Sequence, residues 1–328
     1  MKKGIVLLLV AMLMFVPAGL AQEKLEKVTL NEVTHSVFYA PQYVAIELKF
    51  FEEEGIEIDL VNGGGSDRSM TAILVSEADI GLMGPETAVY VYNQGKEDHA
   101  MIIGQLTNTD GSFLVGRENN DDFDWQELKG TTIIGGRPGG MPLMTLLYVL
   151  KQKGLMPGMD VNVRTDIQFN LMAGAFEGSN ADYVTLFEPT ASLTEKAGKG
   201  FIVASVGAQS GPVPYTAYMV RKSLLYKKGD LYYRFIKAVA KGQKWVSDHT
   251  PEEIAEAIAP QFPDADMELL TAVARNYQSI GAWCETPVMR EEDFVRMQDI
   301  IEGARELSSR VPFEAIVDNT IAQTVMGH

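Results

Sequence analysis

Short apolar runs alternate with stretches of helical periodicity from residue 28 onward, which is the signature of parallel-sheet α/β units. Runs at 28–33, 56–61, 78–83 and 100–106 are rich in Val, Ile or Leu and bounded by Gly, Asn or charged residues, so they predict strands. Between them, 41–54 starts at Pro41, places Tyr43, Ile46, Phe50 and Phe51 on an apolar face and stops at Gly55, which predicts a helix. Segments 66–76 and 86–93 read the same way. A second series begins near Gly111, with strands at 112–116, 131–135, 162–165, 183–187 and 201–205 and helices at 141–153, 168–174 and 188–197. After Gly211 the pattern turns mostly helical, over 228–248, 251–259, 266–280 and 290–310, with breaks at prolines. Such a tail cannot build a parallel sheet, so it must pack on what exists, most economically by returning to the first unit through a crossover near 207–215. The expectation is an α/β fold of two lobes joined by a two-strand hinge. Lobe I takes 27–109 and 212–328, and lobe II takes 110–211.

The N-terminus changes the compartment. Lys2 and Lys3 precede an unbroken apolar run over 5–16, then Pro17 and the small-residue stretch Ala18, Gly19, Leu20 and Ala21. That is the layout of a secretory signal peptide over 1–21, cut after Ala21, and the run falls short of the ~20 residues of a membrane span. The alternative is an uncleaved N-terminal anchor. The single cysteine, Cys284, lies far downstream, so it offers neither a lipid tether after the signal nor an internal disulfide. It reads as a part-buried small apolar residue, and an ordinary core must carry stability. A formal charge of −16 without a basic stripe argues against nucleic acid as a partner.

Catalytic signatures are missing. His35, His99, His249 and His328 are scattered, no HExxH, CxxC or GxSxG spacing occurs, and the GGRPGG stretch lacks the Lys-Ser/Thr ending of a phosphate loop. No catalytic residue, metal or cofactor is therefore assigned. The rival is acid–base work by Glu86 and Glu188 across a cleft, with His35 as proton carrier.

Several stretches carry a family resemblance in order: FYAPQYVAIELKFFEEE from Phe38, then GIEIDLV and GGGSD, the ADIGLMGPE segment, LKGTTIIGGRPGG, and ADYVTLFEP. Together they make the chain similar to the NMT1/THI5-like and alkanesulfonate/taurine-type (SsuA/TauA-like) solute-binding proteins. The resemblance implies the type II periplasmic binding protein fold, a small polar ligand in the interlobe cleft, and an ABC transporter permease in the membrane as partner. It implies an extracytoplasmic, monomeric capture protein for a heteroaromatic such as a pyrimidine or vitamin precursor, or for a sulfonate. An exported enzyme or a sensor domain on the same fold is the alternative. One departure stands out: the pyrimidine branch carries Asn-His-Thr-Gly before its first helix, where this chain has Tyr39, Ala40, Pro41 and Gln42. No cysteine-rich iron-binding run of the synthase kind is present.

Ligands of open α/β sheets bind beyond the carboxyl ends of the strands, so the loops 36–40, 63–67, 84–87, 107–112, 135–141, 187–190 and 212–215 are the candidate site. Gly63, Gly64, Gly65 and Ser66 precede a helix and are expected to offer free N–H groups to an anionic or carbonyl oxygen, or else to form only a tight turn capped by Ser66. Gly139, Gly140 and Met141 open another helix, with Arg137 near enough to add charge or to pair on the surface. Gly84 and Pro85 lead into Glu86, and Glu86 and Glu188 each sit near a helix start, where a carboxylate suits the dipole or accepts a ligand N–H. Glu188 occupies the place of the acidic residue in the Trp-Asp-Pro segment of related binding proteins. Phe38, Tyr39 and Tyr215 suit a clamp on a flat ligand, or the core. Asn108, Thr109, Asp110 and Ser112 fall at the first crossover, serving hinge, ligand or both. Carboxylates facing the cleft favour an amine-bearing or heteroaromatic ligand over a sulfonate.

Overall fold

In a computed structural model that describes residues 24–327, the strands sort into two five-stranded sheets whose order reverses the simple reading of the chain. In chain order the strands are β1 (Glu26–Glu32), β2 (Ile56–Asn62), β3 (Ile80–Met83), β4 (Ala100–Thr107), β5 (Ser112–Gly116), β6 (Thr132–Ile134), β7 (Asn162–Arg164), β8 (Tyr183–Phe187), β9 (Phe201–Ser205) and β10 (Thr216–Arg221). The first sheet runs β2-β1-β3-β10-β4 and the second β7-β6-β8-β5-β9. The export signal expected over 1–21 lies outside the described residues. No helix among those described is long and apolar enough to cross a membrane.

Two strands depart from the all-parallel expectation. β10, in the stretch between the expected crossover and the first tail helix, lies between β3 and β4, antiparallel to both. β5 does the same between β8 and β9. The cause is connectivity: each is the first strand after a crossover, so it enters its new sheet from the shared edge and must run back through it. β10 is buried over Thr216–Val220, and a strand buried on both faces loses the alternation that marks half-exposed strands.

The crossovers lie side by side. Thr107 Oγ1 and Thr216 Oγ1 are 2.6 Å apart, Val213 N–H donates to Asn108 O at 2.9 Å, and Thr109 Oγ1 donates to Gly207 O at 2.8 Å. Gly207 is required there, because a Cβ would strike the backbone oxygen of Asp110.

Helix boundaries shift where side chains need a different aim. The stretch expected as one helix over 41–54 divides into Ala40–Glu47 and Phe50–Glu53 at Lys49, whose φ is +64°. The break turns Phe51 into the core, 5.1 Å from the ring of Phe235. The segment expected as a helix over 168–174 becomes a 3-10 turn at Phe169–Leu171 followed by a helix at Met172–Glu177. The helix expected to reach 310 ends at Gly303, after which Val311 N–H pairs with Gln298 Oε1 at 2.7 Å. Cys284 is buried, and burial pushes its thiol far above the ordinary range.

Candidate ligand site between the two sheets

Loops from both sheets meet over the ring of Phe38. The 3-10 turn Val37–Tyr39 follows β1, with Ser36 Oγ accepting from Phe38 N–H at 3.2 Å and Trp283 Nε1 donating to Phe38 O at 3.0 Å. The Phe38 ring lies 4.9 Å from that of Tyr277, 5.7 Å from Tyr39, and 5.8 Å from both Tyr215 and Phe187. Phe187 ends β8 in the second sheet, so this aromatic cage is built from both sides. Gly111, where β4 hands over to β5, is pressed so closely that a Cβ would stand 2.8 Å from both the Phe38 and Phe187 rings.

Polar atoms without partners collect around the cage. Glu86 Oε2, Asp110 Oδ2, Thr145 Oγ1 and Tyr215 Oη are all buried and make no hydrogen bond. Such groups are rare in native interiors, because an unpaired buried polar atom forfeits its hydration. Glu86 opens the helix Glu86–Asn93 after Gly84 and Pro85, and its carboxylate folds back over Gly84, where a Cβ would collide with it. Asp110 accepts the backbone N–H of Ser112 at 2.7 Å and the Ser112 hydroxyl through Oδ1, leaving Oδ2 free. The hydroxyls of Tyr215 and Thr145 approach Asp110 closely enough to hold its carboxyl down, without hydrogen-bond geometry. Thr145 comes from the helix Met141–Gln152, on the second-sheet side.

Neither carboxylate has a cationic partner among the described residues. Burial pushes Glu86 up to about 7 and Asp110 up to about 6. The Tyr39 hydroxyl is held up by burial and then by Glu32 and Glu86, and that of Tyr215 by burial, Asp110 and Glu86, so these groups share one field.

The other expected site residues have different fates. Glu188 is committed: Oε1 accepts from Ser192 Oγ at 2.8 Å and Asn276 Nδ2 at 2.6 Å, Oε2 accepts from Ser192 N–H at 2.9 Å, and its own N–H donates to Tyr277 Oη at 3.1 Å. Asn276 and Tyr277 belong to the helix Met267–Ser279, so Glu188 ties the end of β8 to a helix of the C-terminal tail. Burial raises its carboxyl while Asn276 and Ser192 pull it back. Thr109 is used within the crossover, and Asn108 N–H donates to Ala282 O at 2.8 Å.

The expected free amides of the first glycine turn are not free. Gly63 N–H donates to Glu32 O at 2.8 Å, Gly64 N–H to Asn62 Oδ1 at 3.0 Å, and Gly65 N–H to Val33 O at 2.9 Å. Gly65 rather than Ser66 is the N-cap of the helix Ser66–Leu74. Gly64 is exposed, and Asp67 Oδ1 sits 2.7 Å from where a Gly65 Cβ would be, so the turn meets a carboxylate. Arg137 and Gly139 are exposed, and Arg137 makes no ion pair among the described residues. Gly139 lines a groove of about 300 Å³ with Tyr90, Asn93, Gln94, Glu306 and Ser308, while Gly140 caps the helix and Met141 is buried beneath it. His35 is also committed, with Nδ1 2.7 Å from Glu32 Oε1 and Nε2 2.9 Å from Gln261 O.

Sequence reasoning missed Thr145, Asn276 and Tyr277. Each sits inside a long helix and carries no local signal, since only the packed arrangement brings it to the cage. No group of three or more His, Cys, Asp or Glu suited to a metal occurs among the described residues.

Comparison with known proteins is consistent with this geometry. The model of a family described as NMT1-like matches residues 21–259. A Bacillus subtilis (strain 168) protein named "Putative binding protein YtlA" is 42% identical over 314 residues, covering 95% of this chain and 94% of that one. Among solved structures, the ligand-binding component of an ABC-type import system from Staphylococcus aureus superposes with a TM-score of 0.71 at 14% identity, covering 92% and 99% of the two chains. The periplasmic aliphatic sulphonate-binding protein SsuA of Escherichia coli gives 0.69 at 16%, with the same coverage of 92% and 99%. The desulfurization enzyme DSZB gives 0.64 at 13%, again over 92% and 99%. At these identities the structures speak for the periplasmic binding protein fold alone.

Proposed function

The chain belongs to the NMT1-like family, and from that membership we propose that it is an exported, non-catalytic solute-binding protein that captures one small polar molecule between its lobes and delivers it to an ABC importer permease. In this reading lobe I is 27–109 with 212–328, lobe II is 110–211, and the paired crossovers around Thr109 and Gly207 are the hinge. The observation that carries it is the meeting of Glu86, Asp110, Thr145 and Tyr215, each with an unpartnered buried oxygen, beside aromatic rings from both sheets. Phe38, Tyr39 and Tyr215 supply flat walls, and Glu86 supplies an acceptor for an N–H group. The anion-binding role expected of Gly63–Gly65 recedes, which turns the reading from a sulfonate toward a flat, N–H-bearing solute.

An exported enzyme is the second reading, because DSZB shares the fold. Against it, His35 is locked between two acceptors and Cys284 is buried with its thiol held protonated. Native mass spectrometry on protein purified without denaturation separates the two. A stoichiometric small molecule released intact on denaturation supports capture, and its conversion to a product by fresh protein overturns it.

A further inference from the structure

Two carboxylates buried with no cation among the described residues call for positive charge from outside the chain. Oε2 of Glu86 and Oδ2 of Asp110 are the free acceptors, and Tyr215 and Thr145 add two unpartnered hydroxyls. Desolvated carboxylates are stable when paired and hydrogen-bonded, and costly otherwise. Resting on the reading of this cleft as the capture site, we infer that the captured solute is a flat organic cation, an amidinium or ring-borne ammonium, with N–H groups shared between Glu86 and Asp110 and its face against Phe187 and Tyr215.

Four observations select this class over others. A bare metal ion lacks a ligand set, since no cluster of three acidic, His or Cys groups exists among the described residues. The rings of Phe187 and Tyr215, tilted by 36° with centroids 6.1 Å apart, suit a planar cation, whose charge their faces attract, while Phe38 stands nearly perpendicular to both. An anion at the first glycine turn meets three amides that are already bonded and the Asp67 carboxylate beside Gly65. A neutral solute with N–H groups leaves two buried carboxyls to be protonated, whereas a cation pairs with one carboxylate and leaves only the other to share a proton. Groups facing the pair are the hydroxyls of Tyr39, Tyr215, Tyr277 and Thr145, with Tyr90 beyond Glu86, and Glu188 reaches the same field through Tyr277. None of these supplies positive charge.

The test uses three probes of one shape: benzamidine, benzamide and benzenesulfonate, titrated calorimetrically into the purified chain and into Glu86→Gln and Asp110→Asn. The variants are isosteric, and thermal melts confirm that each folds. Benzamidine is expected to bind at pH 8, to lose about tenfold or more in affinity in either variant, and to bind more weakly at pH 5, where the carboxyls are neutral. Binding of benzamide or benzenesulfonate without benzamidine overturns the cationic assignment and leaves capture standing. Benzamidine binding unaffected by both variants overturns the assignment to this site. Failure of all three to bind overturns the cationic class, and the cargo retained in native mass spectrometry then judges capture separately.

Discussion

His35 sits between two acceptors, and that geometry fixes its charge. With a Glu32 carboxylate oxygen at 2.7 Å and the Gln261 carbonyl at 2.9 Å, both ring nitrogens serve as donors, which is the imidazolium form. The hydrogen bond to Glu32 raises its pKa from 6.5, against burial, which lowers it. A group whose folded pKa is raised stabilises fully below its unfolded value and loses that contribution as pH rises through the folded value. Wild type is therefore expected to exceed His35→Gln in stability by about 1 kcal/mol below pH 6.5, the ring being partly exposed and its pair with Glu32 screened by water. The gap should close as pH rises further, and denaturant titrations at several pH values check it. A gap constant with pH would mean that the imidazole is neutral. His35 was visible in the sequence only as a lone histidine, because its partners come from β1 and from a loop 226 positions away. Glu86, Phe38 and Tyr39 could be singled out because each follows a strand end, and Tyr215 because it falls in the second crossover. Glu188 was legible in place but not in role, because the amide of Asn276 that occupies it is set by packing.

At the scale of elements, the contacts between crossovers and across the cleft each rest on one small feature. Gly207 lies against the Asp110 carbonyl, so Gly207→Ala pushes two backbones apart. The expected cost is about 1–3 kcal/mol, as for other overpacking changes, read as a lower melting temperature. Gly229 has open space around it, so Gly229→Ala serves as the control for a glycine lost without a clash. Across the cleft, Glu188 accepts from Asn276 at 2.6 Å, and Asn276→Asp sets two carboxylates against each other there. Like charges at that separation repel, so Asn276→Asp added to a chain that already carries Glu86→Gln and Asp110→Asn is expected to enlarge the radius of gyration in small-angle scattering at pH 8, with recovery at pH 5. An unchanged radius would show that the pair does not hold the lobes together. Nine of the ten strands coincide with apolar runs read from the chain, and β10 escaped because its short run over Thr216–Arg221 follows directly on a proline-rich crossover. The interiors of the longer helices were equally legible, while short ones such as Val206–Ser210 and Thr320–Met326 were not read. Helix ends were not legible, because Lys49 and Arg305 take left-handed conformations that suit neither residue locally and answer only to tertiary packing.

For the whole molecule, the same carboxylates that would hold a cation also set the resting state. Closing the lobes around nothing leaves Glu86 and Asp110 dry and unpaired, whereas opening lets water reach them. Burial lifts them to about 7 and about 6 in this structure, above the 4.5 and 3.8 of solvated groups, so if the proposed lobes part and wet them, closure takes up protons. By linkage, acid then favours closure and alkali favours opening. For Glu86 alone the pull toward the open form above pH 7 reaches about 3 kcal/mol at full desolvation. A gap of a few kcal/mol is enough to make the closed form a minor species without ligand and the dominant one with it. Ligand-free protein is therefore expected to show a radius of gyration that shrinks as pH falls from 8 to 5. The double variant with Glu86→Gln and Asp110→Asn should be compact throughout. If wild type and double variant scatter identically at pH 8, the buried charges do not hold the lobes apart, and closure is governed by the Glu188 to Asn276 contact and the aromatic cage instead.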